Sequence, residues 1–100
     1  MLATILATIT ACNRSNGIVG TWEAQGEGID GGFMILSFND DGAFTVDGHW
    51  GHGIYQIVNN DLIFDFVQPS TQGTVMGRFE IDGNTMYLTI WGMDETYIRN

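Results

Sequence analysis

The chain has 100 residues, enough for one domain with a modest hydrophobic core. Three Lys+Arg against twelve Asp+Glu give a net charge of −9, and the basic residues Arg14, Arg78 and Arg99 are scattered, which excludes a patch that neutralises the phosphates of nucleic acid or anionic lipid. A hydrophobic content of 44% excludes wholesale disorder, and a single cysteine, Cys12, excludes an internal disulfide and cysteine-based zinc sites.

Residues 1–11 read MLATILATITA, with no charge, Pro or Gly. The run is too short to span a bilayer as a helix and has the length of a signal-peptide hydrophobic region. It ends in Ile9-Thr10-Ala11-Cys12, which resembles the lipobox of bacterial lipoproteins: an aliphatic residue, small residues, then the lipidated cysteine. That resemblance implies a lipid on Cys12 and anchoring of the mature protein to a membrane outside the cytoplasm. The polar stretch 13–17 (NRSNG) suits a tether. Met1 leads directly into the apolar run with no positively charged region before it. The competing readings are a start further upstream, or a short strand or helix with Cys12 buried.

From Gly17 onward the apolar residues alternate with period two, and Gly, Asn and Asp clusters punctuate them. This is the pattern of short strands in hairpins. The expected strands are 20–23, 33–38, 43–46, 53–58, 62–66, 73–81, 85–91 and 96–99. Asn39-Asp40-Asp41-Gly42, Asn59-Asn60-Asp61 and Asp82-Gly83-Asn84 supply turns, because Asn, Asp and Gly tolerate positive φ. No stretch of the domain keeps a helical apolar period. The hairpin from Gly53 to Phe66 repeats at an offset of 24 from Gly77 to Ile90. Consecutive hairpins make a meander, and eight strands leave two open edges unless the sheet closes. The expected fold is therefore all-β, a small eight-stranded up-and-down antiparallel barrel over residues 18–100, preceded by the signal segment 1–12 and the tether 13–17. Alternation directs Tyr55, Ile57, Leu62, Phe64, Phe66, Val75, Phe79, Ile81, Met86, Leu88 and Ile90 inward, with Trp22 plugging one end.

Gly20-Thr21-Trp22-Glu23, Phe38-Asn39-Asp40-Asp41-Gly42 and the Gly-x-aromatic-x-Ile hairpins resemble the short lipocalin-like domains of bacterial surface lipoproteins, distant kin of lipocalins and fatty-acid-binding proteins. The resemblance runs from about Ile18 to the C-terminus. Gly20-Thr21-Trp22 is its most specific element. It implies a lipid-tethered barrel without assigned activity, and in the wider group often an apolar small molecule inside. No ligand residue carries over beyond the structural tryptophan.

The richest chemical stretch is Asp47-Gly48-His49-Trp50-Gly51-His52, which holds both histidines. Asp47, His49 and His52 form a candidate set for a divalent transition metal, but their spacing matches no standard signature, and Gly48 and Gly51 leave the stretch free to move. The expectation is an exposed rim loop with His49, Trp50 and His52 as contact residues and no metal or other cofactor. Glu27, Asp30, Asp40 and Asp41 lack the spacing of a calcium loop. Ser15, Ser37 and Ser70 lack a nucleophile context, and Asp40-Asp41 and Asp94-Glu95 fall in expected turns where solvent explains them, so no enzyme is expected. The stretch 68–72 (QPSTQ) holds the one proline and reads as a plain connection. The leading function is a non-enzymatic, membrane-anchored binding or accessory module of the cell envelope. A carrier of a small apolar ligand is the first alternative and a metal-binding surface protein the second. The expected partners are a membrane, through the lipid on Cys12, and a small apolar molecule or an envelope protein.

Overall fold

Eight antiparallel strands close into a barrel in sequence order in the computed structural model, which describes residues 17–48, 50–68 and 73–100. They are β1 (Gly20–Ala24), β2 (Ile35–Phe38), β3 (Ala43–Val46), β4 (Gly51–Val58), β5 (Asp61–Gln68), β6 (Thr74–Asp82), β7 (Thr85–Ile90) and β8 (Met93–Arg99). Each strand pairs with its chain neighbour, and β1 pairs with β8, with Trp22 opposite Arg99 and Ala24 opposite Tyr97. Closure removes both edges, as the meander required. Residues 1–16, on which the expected signal segment, Cys12 and most of the expected tether fall, lie outside the described residues, as do His49 and residues 69–72.

The 24-residue repeat is a repeat of register. Tyr55 faces Phe64 and Gly53 faces Phe66; one repeat later Phe79 faces Leu88 and Gly77 faces Ile90. Both glycines sit where the neighbouring strand comes close. A Cβ on Gly53 would lie 2.1 Å from the Asp65 carbonyl oxygen, and one on Gly77 would lie 2.7 Å from that of Thr89. The sequence repeat thus records a repeated close approach of two backbones.

Alternation assigned the faces correctly, except that Ile81 is only half-buried. Trp22, Tyr55, Phe64 and Phe79 all lie in the core, with Trp22 and Phe64 fully buried. A continuous run of rings fills the interior. Phe38 meets Tyr55 edge-on at 5.0 Å, Phe44 meets both Phe64 and Phe66 at 5.0 Å, and Phe66 reaches Phe33 at 6.1 Å. Edge-to-face pairs at these distances add to the burial itself.

The two ends differ. At the plug end the chain from Gly17 to Val19 crosses under the barrel. The Trp22 indole N–H donates to the Ile18 carbonyl at 2.8 Å, and the Arg99 guanidinium lies 4.2 Å from the centre of the Trp22 ring. Arg99 also donates to the carbonyls of Val19 and Gly17. One cation thereby stacks on the plug and ties the entering strap to the last strand. At the other end, the rim, lie the β1–β2 loop (25–34), the β3–β4 turn and the β7–β8 turn.

Four of the differences from the expected strand boundaries bear on the site. Phe33 leaves the second strand for an isolated bridge with Ile29 in the β1–β2 loop. β4 starts at Gly51, which puts His52 on a strand rather than in a loop. β7 ends at Ile90, leaving Trp91 in the turn. β8 begins at Met93, so Asp94 and Glu95 are strand residues and not a turn. In β8 the inward parity is Met93, Glu95, Tyr97, Arg99, and two charged side chains there hide the alternation.

Tyr97 ties β8 to the rim loop through a hydroxyl that donates to the Phe33 carbonyl at 2.6 Å. Burial pushes this phenol's pKa above its ordinary value of 10.0; a backbone hydrogen bond from Ile29 opposes the shift, and the Glu95 and Asp47 carboxylates add to it. A folded-state pKa raised above the unfolded one gives stability that is complete below about pH 10 and lost as pH climbs toward the folded value. Melts of the wild type should therefore fall steeply above about pH 10. Tyr97→Phe should cost about 1 kcal/mol at neutral pH through the orphaned Phe33 carbonyl, while its alkaline decline should be shallower. Parallel alkaline limbs in the two proteins would show that another group controls the high-pH transition.

Candidate functional site: the aromatic rim

Three rings crowd the rim around Phe33, which is itself buried. Trp50 lies 5.8 Å from Phe33, Trp91 lies 5.9 Å from it on an edge, and Phe66 closes the base at 6.1 Å. Trp50 also meets Phe66 edge-on at 6.5 Å. The two indoles are half in water, at 48% and 49% exposure. The run of rings that fills the barrel thus continues out of its mouth and ends in two accessible tryptophans.

Local geometry sets both indoles. Trp91 and Gly92 form the two-residue turn between Ile90 and Met93, with φ of 55° and 75°. Such hairpins require positive φ at both positions, which Asn-Gly meets without difficulty and a bulky residue does not. Holding a tryptophan there costs about 1–2 kcal/mol. Strain of this kind is kept where the side chain serves a purpose beyond the fold. Trp50 is the last residue of the β3–β4 turn, whose entry is held by Asp47 at φ 50°. Asp47 Oδ1 accepts hydrogen bonds from the backbone N–H groups of Met34 at 2.9 Å and Ile35 at 2.8 Å, joining this turn to the β1–β2 loop.

A cleft of about 190 Å³ opens between these elements, lined by Ile29, Asp30, Gly32, Phe33, Asp47 and Trp50. Asp30 is exposed, sits at φ 59° and takes no hydrogen bond from any described residue. The described arginines are remote from the cleft: Arg99 is at the plug end, and Arg78 is on the outer face of β6, 3.8 Å from Asp61. A wider hollow of about 280 Å³ lies beside Arg78, Glu80, Tyr87 and Thr89 on that outer face and is mostly polar. Ile54, Val58, Val67 and Met76 are also exposed on the outside of β4–β6, interleaved with Gln56, Asp65 and Thr74.

Of the sequence-derived rim residues, Trp50 is at the rim. His52 is exposed on the outside of β4, paired with Thr45 and Gln68, and His49 lies outside the described residues. Asp47 spends one oxygen on backbone groups. Among the described residues no three His, Cys, Asp or Glu side chains converge on a common point. The loose calcium set is split, because Glu27 and Asp30 belong to the rim loop and Asp40 and Asp41 to the β2–β3 turn at the plug end. The Ser37 hydroxyl is bonded across the sheet to that of Thr21 at 3.1 Å.

Neither Trp91 nor Arg99 stands out as a functional residue in the sequence. Trp91-Gly92 between two alternating runs carried the turn signal for the first. The pairing of last strand with first carried it for the second. No family model, curated protein or solved structure matches the chain.

Proposed function

We propose that this protein is a non-enzymatic, lipid-anchored binding module of the bacterial cell envelope, which recognises its ligand or partner at the aromatic rim. The observation that carries the reading is a pair of half-exposed tryptophans flanking Phe33, one of them held in a strained turn. Indoles of this kind are favoured contact residues. The lipid-anchoring half rests on the sequence Ile9-Thr10-Ala11-Cys12 and on the resemblance to lipocalin-like surface lipoproteins. The rim supports surface recognition better than storage of an apolar molecule, because Trp22, Phe38, Phe44, Phe64 and Phe66 fill the space a stored molecule needs. An eight-stranded barrel leaves room for side chains or for one small ligand, seldom for both.

Two measurements test the two halves. Expressed in a bacterial host with its native upstream sequence, the protein should partition into detergent, and Cys12→Ala should release it to the aqueous phase. Mass spectrometry showing an intact Met1 on the mature protein would remove the lipoprotein reading. For recognition, material co-purifying from the native envelope with the wild type should be absent from a Trp50→Ala/Trp91→Gly double variant of equal abundance. Identical co-purifying material would place recognition elsewhere.

A further inference from the structure

Resting on the rim as the recognition surface, we infer that the cleft beside Trp50, between the β1–β2 loop and the β3–β4 turn, binds a small organic cation, an alkylated ammonium of the choline type. Four observations converge on that chemistry. The accessible wall is aromatic: the half-exposed indole of Trp50, which is packed on the buried ring of Phe33. The edge is anionic, with Asp30 and Asp47 both among the residues that line the cleft. Asp47 commits Oδ1 to two backbone N–H groups, while its Oδ2 and both Asp30 oxygens take no hydrogen bond from a described residue. No described arginine approaches the cleft, since Arg78 and Arg99 are held elsewhere.

Each alternative ligand chemistry meets an obstacle that an alkylammonium does not. An anion meets two carboxylates and a chain of net charge −9. A neutral apolar molecule covers those carboxylates without pairing them, which is unfavourable. A bare metal ion finds too few free donors, with no group of three among the described residues. An alkylated ammonium is large and weakly hydrated, rests on the negative face of an aromatic ring, and keeps its charge close to a carboxylate. The cleft, about 190 Å³, is below the size of a drug-binding pocket and suits a single headgroup. The overall negative charge raises the local concentration of any cation.

The test is titration of the folded barrel with choline, and separately with 3,3-dimethylbutan-1-ol, its uncharged isostere, followed by tryptophan fluorescence and by amide shifts. Trp22 is fully buried beneath Arg99, so changes in emission report Trp50 and Trp91. Choline should bind saturably, at least tenfold tighter than the isostere, with shifts confined to the rim. Asp30→Asn, at an exposed residue without hydrogen bonds, should weaken choline about tenfold at unchanged melting temperature. Trp50→Ala should weaken both compounds. Equal binding of the two overturns the cation inference yet leaves the rim as a recognition surface. Absence of any choline response at millimolar concentration also overturns it, and the rim is then judged on the co-purification experiment alone. A choline response unaffected by Asp30→Asn and Trp50→Ala overturns this location.

Discussion

Replacing Trp22 with Ala should leave the domain largely unfolded at physiological temperature. The indole is fully buried, its N–H holds the Ile18 carbonyl, and its face carries the Arg99 guanidinium. Truncating a core tryptophan costs about 3–5 kcal/mol before the orphaned carbonyl is counted. A domain of this size has about 5–10 kcal/mol in total. The location raises the effect, since Trp22 faces Arg99 across the β1–β8 seam that closes the barrel. Trp50→Ala is the contrast. That ring is half-exposed and loses mainly its contacts with Phe33 and Phe66, about 1 kcal/mol, or about 4–8 °C in melting temperature. Thermal melts of the two variants decide the matter. Equal destabilisation would make Trp50 a core residue and would undo its assignment to a recognition surface.

Gly53→Ala should be nearly as damaging, although it adds one methyl group. The new Cβ falls 2.1 Å from the Asp65 carbonyl oxygen and 3.0 Å from the Phe66 Cα, so a backbone must move. Overpacking of this severity costs about 3 kcal/mol. The register between β4 and β5 already shifts between His52 and Gly53, leaving the ladder little slack. Gly77→Ala meets the Ile90 side chain at 2.6 Å and the Thr89 carbonyl at 2.7 Å, so a backbone must move there too, and it should destabilise less because the overlap is smaller. Gly32→Ala is the control: nothing lies closer than 3.9 Å, and the melt should be unchanged. A Gly53→Ala protein melting with the wild type would show that β4 and β5 separate easily at this point, and the repeat would then lose its physical explanation.

The site itself is only partly legible in the sequence. Trp50 is readable as a rim residue because it follows an acid-glycine turn between two alternating runs. Trp91 is not, because in the run 85–91 it extends the alternation by one outward position and passes for the end of a strand. The direct link from Ile90 to Met93 forces it to positive φ instead. Phe33 is read as a strand residue for the same reason. It becomes the centre of the rim only because the β1–β2 loop folds back, held by the Asp47 carboxylate and by the Tyr97 hydroxyl from the last strand.

The all-β class, the hairpin order, the inward face of β4 to β7 and the burial of Trp22 are all legible in the sequence. These follow from interactions between residues close in the chain: period-two burial, turn chemistry at Asn, Asp and Gly, and a repeat at constant offset. Which charged residues take inward positions, and which aromatics meet at the mouth, depends on the closed barrel. Arg99 stacks on Trp22, and Glu95 accepts the Gly28 N–H at 3.2 Å, both at inward positions of β8 that a hydrophobic pattern cannot recognise. Phe33, Trp50, Phe66 and Trp91 come from four segments spread over 59 positions of the chain, from 33 to 91. Up-and-down order puts every second connection at the same end, closing the sheet brings those connections together across the mouth, and no local pattern encodes a proximity created by closure.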